Sequence, residues 1–187
     1  MSVLCALHLM GVSIGDRSAG RSDGDTGRVA VPQAGNERGR SVDEEDVFAR
    51  LNAQAGVVLF RARLAVSTYG GDALEPEHLL LGIVQASPET FHRYASEEWP
   101  IQRVERELVD GLTSGNQVPK LAEVPGSGRT NDALARAAAA SGLGEESLTV
   151  DHLLLGLVED KGRAGRLLQE AGISREKILA LRRNSTK

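Results

Sequence analysis

The sequence predicts an all-α protein, a duplicated four-helix repeat forming a compact eight-helix domain. Three observations point there. An eight-residue motif occurs twice at long spacing; hydrophobic residues make up 41 % of the chain but aromatics only 3 %; and no segment shows the two-residue alternation of a half-buried strand. A core of Leu, Val, Ile and Ala suits helix packing better than a sheet rich in aromatic and β-branched residues.

The repeat is the strongest signal. Glu77-His78-Leu79-Leu80-Leu81-Gly82-Ile83-Val84 returns as Asp151-His152-Leu153-Leu154-Leu155-Gly156-Leu157-Val158, an offset of 151 − 77 = 74 residues. At that offset Phe60 falls on Leu134, Leu64 on Ala138, Ala65 on Ala139, Tyr69 on Leu143 and Val104 on Ile178. Apolar support on both sides of the motif marks an internal duplication.

Taken in order, residues 1–43 read as a disordered tail. From Gly15 to about Arg40 the chain is dominated by Gly, Ser, Asp and Arg, too polar to offset the entropy of ordering. The opening Val3–Ile14 is apolar, but no Lys or Arg precedes it and His8 interrupts it, so an over-long gene start or a disordered tail fits better than a cleaved signal. Ser41-Val42-Asp43-Glu44 resembles a capping box, placing the start of folded structure between residues 41 and 52, and the domain at 44–187.

Repeat one spans about 48–113 and repeat two about 124–184. Leu51, Ala55, Val58, Leu59, Ala62 and Val66 recur at helical spacing, predicting a first helix over 52–68 with a counterpart over 130–141. Gly70-Gly71 and Gly142 end these helices. Second helices start at Pro76, a residue suited to the first helical position, and at Val150 behind the N-cap Thr149. Third helices are expected over 88–96 and 162–171, and fourth helices over 100–112 and 174–184, with Ser174 as a cap. A linker from Ser114 to Gly128 joins the halves. Gly82 and Gly156 each interrupt a helix at a cost of about 1 kcal/mol relative to Ala. Their recurrence implies close approach of neighbouring helices, a contact between the halves being one way to achieve it.

Composition excludes several classes. A net charge of −4 argues against a general nucleic-acid binder. The single Cys5 and four scattered histidines supply neither a disulfide nor a metal-ligand set, which fits a cytoplasmic protein without metal or cofactor. No apolar run approaches the roughly 18 residues that span a bilayer. Gly126-Ser127-Gly128-Arg129-Thr130 lacks the phosphate-loop pattern and reads as a solvated linker capped by Thr130. No nucleophile–base pairing stands out, so no catalytic residue is assigned and the chain is read as a non-enzyme. His78 and His152, in the first turn of the second helices, suit hydrogen bonds to a free amide or a loop carbonyl better than metal ligation. Glu77 and Asp151 share that first turn, where the helix dipole favours negative charge. They are the candidate peptide-binding residues, each able to receive a cationic group of a partner.

At these paired motifs the sequence resembles the Clp N-terminal, or Clp repeat, domain, over about residues 48–184. The resemblance implies a module that binds substrates or adaptor proteins and delivers them to an AAA+ unfoldase and its peptidase. In one branch of that family the acidic residue of each threonine-Glu-His motif helps to recognise phosphorylated arginine, and Glu77 and Asp151 are the matching positions. Pro76 and Val150 stand where the family has threonine, Asp151 shortens the second carboxylate, and Asn52 replaces a threonine at the first long helix. With no ATPase module after the domain, the chain reads as a stand-alone member. Its expected partners are Clp ATPase or peptidase components, adaptors or substrate polypeptides, not nucleic acid or membrane. The alternative expectation is a peptide- or small-molecule-sequestering protein, with a groove between the halves lined by the aliphatic residues around Gly82 and Gly156.

Overall fold

The computed structural model describes residues 44–112, 124–142 and 147–185. The expected tail over 1–43, the Ser41 cap and most of the expected linker lie outside the described residues. Within them the chain forms nine α-helices, and no strand: α1 (Glu44–Ala49), α2 (Ala53–Tyr69), α3 (Pro76–Ala86), α4 (Pro88–Tyr94), α5 (Ile101–Leu112), α6 (Gly128–Ala140), α7 (Val150–Leu157), α8 (Arg163–Glu170) and α9 (Arg175–Ser185). The eight expected helices are α2 to α9, and α1 is an additional short helix at the start of the domain.

Local chemistry sets most boundaries. The Asn52 side chain accepts the Ala55 amide at the start of α2, and Gly70 closes that helix with φ 91°, a left-handed conformation natural to glycine. Pro76 and Val150 open α3 and α7 as expected, and Ser174 Oγ accepts the Lys177 amide at α9. The start of α6 differs from expectation. Ser127, not Thr130, is its N-cap, accepting the Thr130 amide at 3.2 Å. The Thr130 hydroxyl instead turns inward and donates to the carbonyl of Leu74.

The duplication holds in three dimensions, with one change of register. The N-caps Asn52 and Ser127 are 127 − 52 = 75 residues apart, whereas Glu75 and Thr149 are 149 − 75 = 74 apart. The second copy is therefore one residue shorter between its first two caps. Within the first helices Leu134 corresponds to Leu59, both buried, and not to Phe60, which is 66 % exposed.

The halves exchange backbone hydrogen bonds reciprocally. Asn52 N–H donates to Leu148 O and Leu148 N–H to Arg50 O; Leu74 N–H donates to Pro125 O and Ser127 N–H to Leu74 O. Residues 50, 52 and 148 map onto 125, 127 and 74 under the duplication, so the two bridges are equivalents. Each strip leading into a first helix pairs with the strip leading into the second helix of the other half. These pairs satisfy backbone groups that would otherwise be buried without partners.

Gly82 and Gly156 mark close approaches within each half, not between the halves. A Cβ on Gly82 would lie 2.5 Å from the Val58 carbonyl oxygen on α2, and one on Gly156 would overlap the Ala133 carbonyl on α6. The aliphatic neighbours Leu79, Leu80, Leu81, Leu153, Leu154 and Leu155 are fully buried core. They therefore line no open groove. Gly56 on α2, by contrast, has no atom within 4 Å of a built Cβ. Gly82→Ala and Gly156→Ala should each destabilise the domain by about 1–3 kcal/mol through backbone overlap. Gly56→Ala should stabilise it by up to about 1 kcal/mol. Urea unfolding midpoints of the three variants check the contrast in sign.

Candidate functional site

Both acidic positions singled out by the motif lie where one half meets the other, but their surroundings differ. Glu77, at the second position of α3, is only 9 % exposed. Its Oε1 accepts from the Arg129 guanidinium at 3.0 Å and from the backbone amide of Arg163, the first residue of α8, at 3.1 Å. It thereby caps a helix of the opposite half, where the orphan amides and the helix dipole favour a carboxylate.

Arg129, in the first turn of α6, is the hub of this cluster. It donates to both carboxylate oxygens of Asp160 at 3.1 and 2.7 Å, a forked geometry suited to guanidinium and carboxylate. Glu75 Oε2 lies 3.6 Å from its remaining terminal nitrogen and accepts the Ser127 hydroxyl. Asp160 also accepts the Gly162 amide at 3.0 Å. Burial pushes the Asp160 pKa up, but the Arg129 hydrogen bonds and charge, with the Gly162 and Gly165 amides, outweigh it and hold the carboxyl below its ordinary value. Hydrogen bonds to Asp160 first, and then to Glu77, hold Arg129 firmly charged against the cost of its partial burial. Beside the cluster, an open cleft of about 580 Å³ is lined by charged side chains of both signs, among them Arg136, Glu159 and Lys161. The segment read from sequence as a solvated linker is thus a structural junction.

Asp151 occupies the equivalent position on α7 with far looser contacts. Its Oδ1 is 3.7 Å from Arg93 on α4 of the first half, beyond hydrogen-bonding range, and finds no donor among the described residues. Tyr94 is buried beside it; burial first, and the Asp151 charge second, raise the phenol pKa. The shorter side chain of Asp151 and two substitutions between the repeats accompany this difference. The residue corresponding to Arg129 is Gln54 (129 − 75 = 54), and the partner of Arg129, Asp160, corresponds to Ala86 (160 − 74 = 86). Gln54 donates to the Ala86 carbonyl at 2.9 Å. The contact is retained, yet its charge is lost, so no guanidinium from that position reaches Asp151.

Both motif histidines cap their own helices. Nδ1 of His78 accepts the Glu75 amide and Nδ1 of His152 the Thr149 amide, each at 3.1 Å. Histidine here takes the place of the usual Glu in a capping box. With Nδ1 accepting, Nε2 of His78 carries the hydrogen and donates to the Gly70 carbonyl at 3.2 Å. Burial lowers the His78 pKa below 6.5, against the raising effects of the Gly70 carbonyl and the nearby Glu77 and Glu75 charges. Among the described residues no group of His, Cys, Asp and Glu is arranged to hold a metal ion, and no helix is long and apolar enough to cross a membrane.

Two halves of four helices, clasped by reciprocal bridges and meeting at paired acidic helix starts, define a duplicated all-α repeat module. Residues 50–171 match the model of the Clp repeat (R) N-terminal domain, and the chain belongs to that family. Its structure is similar to the N-domain of ClpV from Vibrio cholerae (TM-score 0.62, 19 % identity, covering 78 % of this chain and 90 % of that one). It is also similar to the N-terminal domain of the caseinolytic protease associated chaperone ClpD from Arabidopsis thaliana (0.56, 22 %, 74 % and 97 %). The Hsp104 N-terminal domain from Candida albicans is a further likeness (0.56, 22 %, 70 % and 87 %). At these identities the likeness establishes the fold. A comparison with curated protein sequences returned no match.

Arg129 and Asp160 were not legible as site residues, because neither belongs to the repeated motif and each has an uncharged counterpart in the first copy. Asp160→Ala should cost about 1–3 kcal/mol by leaving Arg129 and two amides underused. Gln54→Ala, at the equivalent but neutral contact, should cost less than about 1 kcal/mol; denaturant titration compares them. For His78 the unfolded ring binds a proton more readily than the folded one. The stability its neutral form contributes is complete above the unfolded pKa and is lost as pH falls through it. His78→Asn, which keeps an acceptor for the Glu75 amide without titrating, should flatten the fall in Tm between about pH 7.5 and 5.5. An unchanged slope would assign the fall to other groups.

Proposed function

We propose that the chain is a non-catalytic binding or regulatory module of a Clp-type ATP-dependent protease or unfoldase system. It would engage adaptor proteins, substrate polypeptides or components of the machine itself. Family membership supports the general reading. The observation that carries the site is the contrast between the two motif acids: Glu77 already holds a guanidinium from its own chain, whereas Asp151 faces only a distant one. We place recognition at Asp151, with Arg93 and Tyr94 beside it, and give Glu77 the work of fastening α8 and α6 to α3.

A partner's cationic group would displace the weak Arg93 contact and gain a charge-assisted hydrogen bond in a partly desolvated setting, where such bonds are strongest. The neighbouring Arg93 would then be free to take an anionic group on the same partner, so a side chain bearing both charges, phosphoarginine included, fits this pairing. The ClpV likeness extends the range of machines to which such a module could belong.

The immobilised chain, challenged with lysate of its own source, should retain Clp ATPase, peptidase or adaptor components, or their substrates. Asp151→Asn should reduce that retention by about tenfold or more, the equivalent of a lost charged hydrogen bond, with an unchanged circular dichroism spectrum. Retention of no such protein by the native chain would overturn the Clp assignment; equal retention by both would move the site away from Asp151.

A further inference from the structure

The outward face of α2 carries a feature that the fold does not require. Val57, Phe60 and Leu64, spaced three and four apart, are 48 %, 66 % and 41 % exposed, while Ala55, Val58, Leu59, Ala62, Ala65 and Val66 cover the inner face. The helix therefore carries large apolar residues on its outer side as well as its inner one, a pattern that belongs to helices covered on both sides. On α6 the corresponding positions, offset by 75, are Asp132, Ala135 and Ala139. The duplicated fold tolerates a polar or small residue at every one of them.

The charge around the stripe selects its occupant. α2 contains Arg61 and Arg63 and no Asp or Glu, in a chain whose net charge is −4. Arg61 is exposed on one flank of the stripe, beside Val57 and Leu64 in the helical register, and on the other flank, beyond Phe60, the Arg63 guanidinium lies 5.1 Å over the Phe48 ring. Two copies of α2 laid together would place arginines against one another with no carboxylate on either helix. A partner helix with an apolar stripe flanked by Glu or Asp satisfies both features. From Val57 to Leu64 the stripe is about 10 Å long, which accommodates two turns of such a helix.

We propose that the exposed face of α2, centred on Phe60 and Arg61, docks an acidic amphipathic helix of a partner protein. This rests on reading the chain as a protein-binding module but uses residues other than Asp151. The probe is a fluorescent helical peptide of about 18 residues, with leucines on one face and flanking glutamates, compared with its lysine-flanked twin by fluorescence anisotropy on the full chain.

The glutamate peptide should bind about tenfold or more tightly than the lysine twin. Phe60→Gln, at a largely exposed position, should abolish the difference without altering Tm, and Arg61→Glu should reverse the preference. Equal binding of the two peptides, binding of neither, or binding indifferent to Phe60→Gln would overturn the proposal. So would Phe60-dependent dimerisation in sedimentation equilibrium, or Phe60-dependent uptake by phosphatidylglycerol vesicles, without peptide binding. Retention of Clp components by Phe60→Gln alongside a failed peptide test would remove the α2 site alone. Absence of such retention by the native chain alongside successful peptide binding would remove the Clp assignment alone.

Discussion

Each half of the domain is organised around two helix backbones drawn together at a single glycine. Gly82 sets α3 against the Val58–Ala62 turn of α2, and Gly156 sets α7 against the Ala133–Ala137 turn of α6. A methyl group at either position would meet a carbonyl oxygen of a rigid helix, not the tip of a movable side chain. The leucines on either side of each glycine are buried as a consequence, and the small residues Ala62, Ala133 and Ala137 provide the facing surface. The helix-propensity cost of glycine is offset by packing that a larger residue would forbid.

With the two halves built alike, they share one hydrophobic core, to which pairing between loops and a polar junction are added. The reciprocal bridges at Leu148 and Leu74 obey the duplication. The junction does not. Where the first copy has Gln54 and Ala86, the second has Arg129 and Asp160, and the added charges recruit Glu77 and Glu75 across the boundary. An ion pair of this kind adds less than its Coulomb attraction suggests, because burial costs both partners solvation. Its larger effect is to fix which carboxylate is spoken for.

That asymmetry bears on recognition. A duplicated fold offers two equivalent acidic helix starts, and two sites would bring the avidity of bivalent binding. Internal use of Glu77 favours a single cationic subsite at Asp151 in its place. The apolar face of α2 is similarly confined to the first copy. Both features of the proposed binding surfaces are departures from the repeat, as expected where a duplicated scaffold keeps its core and diverges in its contacts.

The sequence by itself determined the all-α class, the duplication, the starts of α3 and α7 at Pro76 and Val150, and the close approach at both glycines. These are local or repeated properties: helical spacing, capping chemistry, and a costly residue kept twice. The register of the first helices was not legible, since Phe60 and Leu59 are equally apolar and only burial separates them. The cap at Ser127 was likewise obscured by Thr130, whose hydroxyl is drawn to the Leu74 carbonyl of the other half. Tertiary structure alone decided that Glu77 is held by a guanidinium at hydrogen-bonding distance while Asp151 meets one only at 3.7 Å. Their difference is set by Arg129, 52 residues from Glu77 in the chain, and a contact over that distance leaves no periodic trace in a single sequence.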